Sequence, residues 1–218
     1  MDTRQRILDA ARRLFHEQGY HATGITTILR EAEVNSGSLY HFFASKEAVL
    51  IGVLEWYIEL LQPAVMGPAE AAADDPIERV FALLAGYRRM MEQTGCRMGC
   101  PIGNLALEVG DDVPEARRLI DLNLGNWARR VESWLVAAGD RLPASCDRAR
   151  LAKFVLTVME GGLMQCRAAS SLAPYDESVS ELRAYIEALT DRARAERGAS
   201  PSTAARTSGG ATRKAGPT

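Results

Sequence analysis

The sequence has no surplus of positive charge: 26 Lys and Arg stand against 28 Asp and Glu, a formal net of -2. A broad basic field that would hold nucleic acid by charge alone is excluded. Uninterrupted apolar runs of about 18 residues are absent too, so no membrane span is expected. The opening MDTRQRILDAARRLF has neither an apolar signal core nor a small-residue cleavage site, and a cytoplasmic location is the expectation. Cysteine is scarce, with Cys96, Cys100, Cys146 and Cys166 the full set. The one close pair, Cys96 and Cys100, lies far in sequence from the three histidines, which all precede residue 42. The four ligands of a structural zinc therefore do not come together. A Ser-His-acid or Cys-His arrangement, a phosphate-binding glycine loop and an internal repeat are also missing. These absences argue against an enzyme, and no cofactor or metal is expected.

What is present is apolar side chain in helical rhythm. Hydrophobic residues make up 47% of 218 positions, enough for a packed core. Ile7, Ala11, Leu14 and Phe15 fall on one face of a helix over residues 3–18, which Gly19 stops. Further helices are expected at 46–65, 77–93, 101–109, 114–138, 148–169 and 175–196, with 67–75 (GPAEAAADD) as a connector. Charge divides unevenly along the chain. Residues 1–50 hold six basic and six acidic side chains, and residues 51–198 hold seventeen and twenty-two. Residues 198–218 have no large apolar side chain and are expected to form a disordered tail.

The stretch Thr26–Lys46, TTILREAEVNSGSLYHFFASK, carries the functional signal. Thr26 reads as the N-cap of a short helix ending near Ala32, with Glu33-Val34 as a turn. Asn35 or Ser36 caps a second short helix, on which Leu39 and Phe43 face inward while Ser38, Tyr40 and His41 face outward. Ser45 caps the next helix. Two short helices across a tight turn, the second rich in hydroxyl, amide and phenol groups, form a helix-turn-helix pattern. Residues 3–50 resemble the N-terminal domain of the TetR/AcrR family of transcriptional regulators. The resemblance rests on ILDAARRLFHEQGY, on the T-x-I-L-x-E-A-x-V run from Thr26 and on the G-S-L-Y-x-x-F-x-S-K-E run from Gly37. The chain departs from it at Glu33, where many members carry Gly, and at Ser36, where many carry Lys.

This resemblance implies an all-α protein of about nine helices. Residues 1–48 would form a three-helix DNA-binding domain and residues 49–197 a helical effector-binding and dimerisation domain. It further implies a homodimer on a near-palindromic double-stranded operator, and a repressor released by a small-molecule effector. Thr26, Thr27, Tyr40 and Lys46 are the expected phosphate contacts, near helix N-termini or on a rigid ring. Asn35, Ser36, Ser38 and His41 are the expected base readers, and Gly37 permits close approach to the DNA. Met90, Cys100, Asn104, Trp127 and Gln165 are candidate effector contacts. The G-C-P-I-G-N-L-A-x-E stretch from Gly99 resembles a subset of the family that includes a repressor of electrophile-detoxifying genes. That likeness makes Cys100, at a helix N-terminus, a candidate redox-sensing thiol, with its thiolate favoured there. Thiol-based sensing and an all-α enzyme are thus the alternatives to ligand-released repression, and action through a partner protein is a third.

Overall fold

A computed structural model of the chain describes residues 2–109 and 113–199. The expected tail at 198–218 lies outside the described residues except for its first two positions, which belong to the last helix. Among the described residues the chain is helical, with no strand. The elements are α1 (Thr3–Gln18), α2 (Ile25–Ala32), α3 (Ser36–Phe42), α4 (Lys46–Leu60), α5 (Gly67–Ala72), α6 (Pro76–Gln93), α7 (Pro101–Val109), α8 (Pro114–Ala137), α9 (Arg148–Ala169) and α10 (Ala173–Ala199).

Polar side chains set five of the helix starts. Asp2, Asn35, Ser45, Asp75 and Asp147 each accept a free amide of the first turn, at 2.8–3.2 Å. Helix α2, like α5 and α8, has no such cap. Gly24 stands at its N-cap without a side-chain bond, so Thr26 is a first-turn residue and not the expected cap. The turn between α2 and α3 bends at Glu33, whose φ of 52° lies in the left-handed region. Arg6 of α1 holds this turn by donating from Nη2 to the Ala32 carbonyl at 2.6 Å and to the Glu33 carbonyl at 2.9 Å. Ile7, Ala11, Ile28, Leu39 and Phe43 close a small core beneath it.

The expected connector at 67–75 is largely helical. Helix α4 passes through a π-helical turn, Leu61–Met66, into α5, so that Lys46–Ala72 is one rod of 27 residues. Pro63 lies inside the wide turn. A proline there has no amide to give and crowds the carbonyl four residues back, which the wider turn relieves. Met66 and Ala69 are buried, and that packing carries the helix past Gly67 and Pro68. With α4 and α5 counted as one rod, the described residues contain nine helices. By length and mean hydropathy (1.4) this rod is apolar enough to cross a membrane. Here it packs against α1 on one side and α8 on the other.

In the body, α8 packs between α4 and α9, α9 packs on α10, and α6 crosses α8, α9 and α10. Two buried polar contacts tie these layers. Asn123 of α8 donates from Nδ2 to the Leu54 carbonyl of α4 at 3.1 Å and to its own Leu119 carbonyl at 2.8 Å. The Tyr175 hydroxyl donates to the Leu84 carbonyl at 2.9 Å, joining α10 to α6. One hydrophobic core runs unbroken from Ile7 to Ile186, and Val49, Leu50, Val53 and Leu54 of α4 link its two ends.

Candidate nucleic-acid interface and internal cavity

Helix α3 is held from below and open above. Leu39 and Phe43 are buried, whereas Ser36, Gly37, Tyr40, His41 and Phe42 are exposed. Tyr40, at 55% exposure, has little contact with the fold that would account for a tyrosine there. His41 and Phe42 lie edge to face, 4.8 Å between ring centroids. Asn35 Oδ1 accepts from the Ser38 amide, so its carbonyl end is committed to capping and its NH2 is the group turned to other uses. Ser38 and Thr27 are half-buried and Thr26 is exposed. Lys46 reaches back over the Tyr20 ring, its ammonium 4.2 Å from the centroid. Burial lowers its pKa, and the Glu108 carboxylate opposes that shift. The nine sequence-predicted DNA-binding residues thus occupy α2, α3 and the start of α4.

A second feature lies in the body. A partly open cavity of about 160 Å³ sits between α4, α6, α8 and α9, beneath the first turn of α7. Its walls are mostly apolar and aromatic, with Leu61, Tyr57, Tyr87, Met90, Trp127 and Met159 among them. Three of the expected effector contacts, Met90, Cys100 and Trp127, line it. Asn104 and Gln165 do not. Asn104 lies two residues, about 200° of helix, beyond Ile102, and its Oδ1 faces Gly99. Gln165 is exposed and donates to the Gly161 carbonyl at 3.3 Å.

The sequence reading missed the polar groups that do face the cavity. Tyr87 accepts from Trp127 Nε1 at 3.0 Å, and burial pushes its phenol well up. Burial pushes the Tyr57 phenol up to about 12, against the influence of Arg12. Glu160 of α9 presents its carboxylate to the start of α7. Gly103 is needed there, since a Cβ would run into that carboxylate. Burial raises the Glu160 pKa, with a hydrogen bond from the Cys100 thiol acting against it. Val65, Tyr87 and Met90 also line a more open cleft of about 280 Å³ between the α4–α5 rod and α6, which places that cleft beside the cavity.

The burial of Cys100 works against the expected thiolate. The thiol is 7% exposed. Burial and then the Glu160 carboxylate push its pKa well up, and the α7 amides, with Gly103 N–H at 3.5 Å from Sγ, do not overcome them. Arg97 is turned away and donates to the Thr94 carbonyl. Cys96 and Cys166 are buried as well, and Cys146 is half-buried.

Helix α7 touches α1 and its following loop from both of its ends. Before it, His16 of α1 donates from Nε2 to the Gly99 carbonyl at 2.7 Å, and burial lowers the imidazole pKa. In its last turn, Glu108 Oε2 accepts from the Tyr20 amide at 2.6 Å and the His21 amide at 3.3 Å. The Glu108 carbonyl accepts from His21 Nε2 at 2.9 Å. Gly19, with φ +92°, makes room for this carboxylate, because a Cβ there would stand 2.6 Å from Oε1.

Known proteins match both parts. Residues 7–53 match the bacterial regulatory proteins of the TetR family, and residues 76–181 match the C-terminal domain of LmrA/YxaF-like transcriptional regulators. The HTH-type transcriptional regulator LmrA of Bacillus subtilis is 33% identical over 175 residues, 79% of this chain and 90% of LmrA. The HTH-type transcriptional repressor DhaR of a Mycobacterium species is 26% identical over 176 residues, 80% of this chain and 87% of DhaR. Among solved structures, a TetR regulatory protein from Rhodobacter sphaeroides superposes with a TM-score of 0.71 at 26% identity, covering 82% of this chain and 95% of that one. With reader and body each matched in its own right, and one relative spanning both, the chain belongs to the TetR family of DNA-binding transcriptional regulators.

Proposed function

We propose that this chain is a dimeric repressor of a near-palindromic operator, released when a small molecule enters the cavity between α4, α6, α8 and α9. The observation that carries this reading is the position of α7. Its first turn, through Pro101 and Ile102, is a wall of the cavity, and both its ends are bonded to α1 and the loop that follows. A ligand that displaces Ile102 must move α7, and α7 cannot move without disturbing Gly99–His16 or Glu108–Tyr20. That gives a ligand a differential affinity for two arrangements of the reader, which is what coupling between sites requires.

In this reading residues 1–48 are the reader and 49–197 the effector-binding and dimerisation body. Thr26, Thr27, Tyr40 and Lys46 contact phosphates, while Asn35, Ser36, Ser38 and His41 meet base edges around Gly37. Two readers are joined through α9 and α10, where Phe154, Met164 and Tyr185 are exposed on one monomer. Phe154 and Tyr185 stand edge to face at 5.8 Å beside a groove that Val158, Leu182 and Leu189 also line. In this reading Gly99, Gly103 and Glu108 serve packing and bonding around α7, and release of the operator needs no reactive thiol.

The test is footprinting on the DNA upstream of the chain's own coding region. A two-half-site footprint is expected, lost in Tyr40→Ala and weakened in Lys46→Ala, and Phe154→Asp is expected to yield monomers that bind at least tenfold more weakly. No sequence-specific complex, or undiminished binding by all three variants, would sink the proposal.

A further inference from the structure

The cavity contains one group that the rest of the fold leaves unanswered. Glu160 Oε1 is buried and has no hydrogen-bond partner. Among the described residues no Lys, Arg or His acts on the carboxylate, and the Cys100 thiol is its one hydrogen-bonded neighbour of note. A buried carboxylate without a counter-charge costs several kcal/mol or gives up its charge. Elsewhere Asn123, Tyr175 and Trp127 each reach a partner, and Arg12 Nε and Arg130 Nε are the other buried atoms without one among the described residues. Here the carboxylate packs against the start of α7 at the wall of a chamber that Tyr57, Tyr87 and Trp127 also line. Aromatic walls with a single buried acid suit a positive charge twice over, through ring faces and through the carboxylate.

The volume narrows the choice further. A chamber of about 160 Å³ is close to the roughly 150 Å³ of an apolar cavity that holds one benzene ring. We propose that the effector of this regulator is a compact organic cation, a single aromatic or alicyclic ring bearing a protonated amine, whose N–H pairs with Glu160. This rests on the cavity being the effector site. The Cys100 thiol then serves as a weak second partner of the carboxylate and holds its orientation. It is a positioning group and not a sensor.

The experiment uses three matched probes on the full chain: benzylammonium, benzyl alcohol and benzoate. Binding is measured by calorimetry and by tryptophan fluorescence, to which Trp127 contributes beside Trp56 and Trp134, and operator release is measured separately by anisotropy of labelled operator DNA. Benzylammonium is expected to bind at least tenfold more tightly than benzyl alcohol, and benzoate not at all. Glu160→Gln, which keeps shape and removes charge, is expected to erase the preference. Glu160→Asp is expected to retain it with weaker binding, and its thermal unfolding reports whether either variant is misfolded. Equal binding of the alcohol and the ammonium ion, a preference that survives Glu160→Gln in a folded protein, tight benzoate binding, or no binding by any probe would each overturn the assignment. If benzylammonium binds through Glu160 without releasing operator, the cation site stands and the effector reading of the cavity fails.

Discussion

Removing the Glu108 carboxylate is the sharpest single perturbation of the contact between reader and body. In Glu108→Ala the Tyr20 amide loses its acceptor at 2.6 Å, and the His21 amide loses a longer one at 3.3 Å. The His21 Nε2 bond to the Glu108 carbonyl is unaffected, because that acceptor is backbone. A hydrogen bond to a charged acceptor contributes about 1.5–3 kcal/mol when its partner is left buried, and the longer, exposed bond adds little. Tyr20 is buried, so a loss of about 2 kcal/mol is expected. In a chain of this size that corresponds to a fall of about 4–8 °C in unfolding midpoint. The local readout is stricter. Exchange of the Tyr20 amide with deuterated solvent is expected to accelerate by about thirtyfold. Glu108→Gln, which keeps an acceptor without the charge, should fall about midway. An unchanged Tyr20 exchange rate with a midpoint within about 1 °C of the parent would refute the claim that this carboxylate holds the loop.

Other expectations follow from single residues. Glu33→Gly should stabilise the chain by about 0.5–1 kcal/mol in chemical denaturation, since a left-handed φ costs a side-chain-bearing residue more than glycine's extra freedom does. The exposed Arg6–Glu33 ion pair that it removes, at 3.4 Å, contributes little. Asp75 caps α6 and pairs with Arg141, whose hydrogen bonds lower its pKa to about 2. A carboxylate depressed in the folded state contributes stability above its unfolded pKa, and loses it as pH falls from about 4 towards 2. Because both side chains are partly solvated, the loss should be about 1 kcal/mol, read as a denaturation midpoint that falls with acid less steeply in Asp75→Asn. Alkylation followed by mass spectrometry at pH 8 should label Cys146 well before Cys100. Early labelling of Cys100 in folded protein would restore the thiol-sensing alternative.

Much of the fold is legible in the sequence where one face of a helix decides it. The apolar rhythm over residues 3–18 and 148–169 marks α1 and α9 to their observed ends, Thr3–Gln18 and Arg148–Ala169. Legibility fails where tertiary packing overrides composition. Residues 67–72 carry Gly and Pro and read as a connector, yet burial of Met66 and Ala69 keeps them helical. Thr26 reads as a cap because its side chain could cap, while the helix is capped two residues earlier by a bare Gly24. The cavity divides in the same way. Met90, Cys100 and Trp127 are conspicuous by type, and they do line it. Glu160 looks like any surface acid of a long helix until α4, α6 and α8 converge on it. Gln165 lies five residues further along α9, about 140° around the axis, and meets solvent instead.

The π turn at Leu61–Met66 has a consequence for how this rod tolerates change. Its closing bond runs from the Gly67 amide to the Gln62 carbonyl, five residues back. Such a turn holds one residue more than an α-helical one, and each residue turns the helix by about 100°. The turn therefore sets the phase between α4 and α5. Deleting one residue among Gln62, Pro63 and Ala64 would restore a regular turn and keep that phase, whereas inserting one more would rotate everything beyond by about that angle. Glu70 would swing away from Trp134 Nε1 and Arg130, which it now meets at 3.0 Å and 2.8 Å, and Leu61 and Val65 would no longer share the cavity wall. A substitution at the same three positions leaves the phase intact, so this segment should accept changes of residue far more readily than insertions.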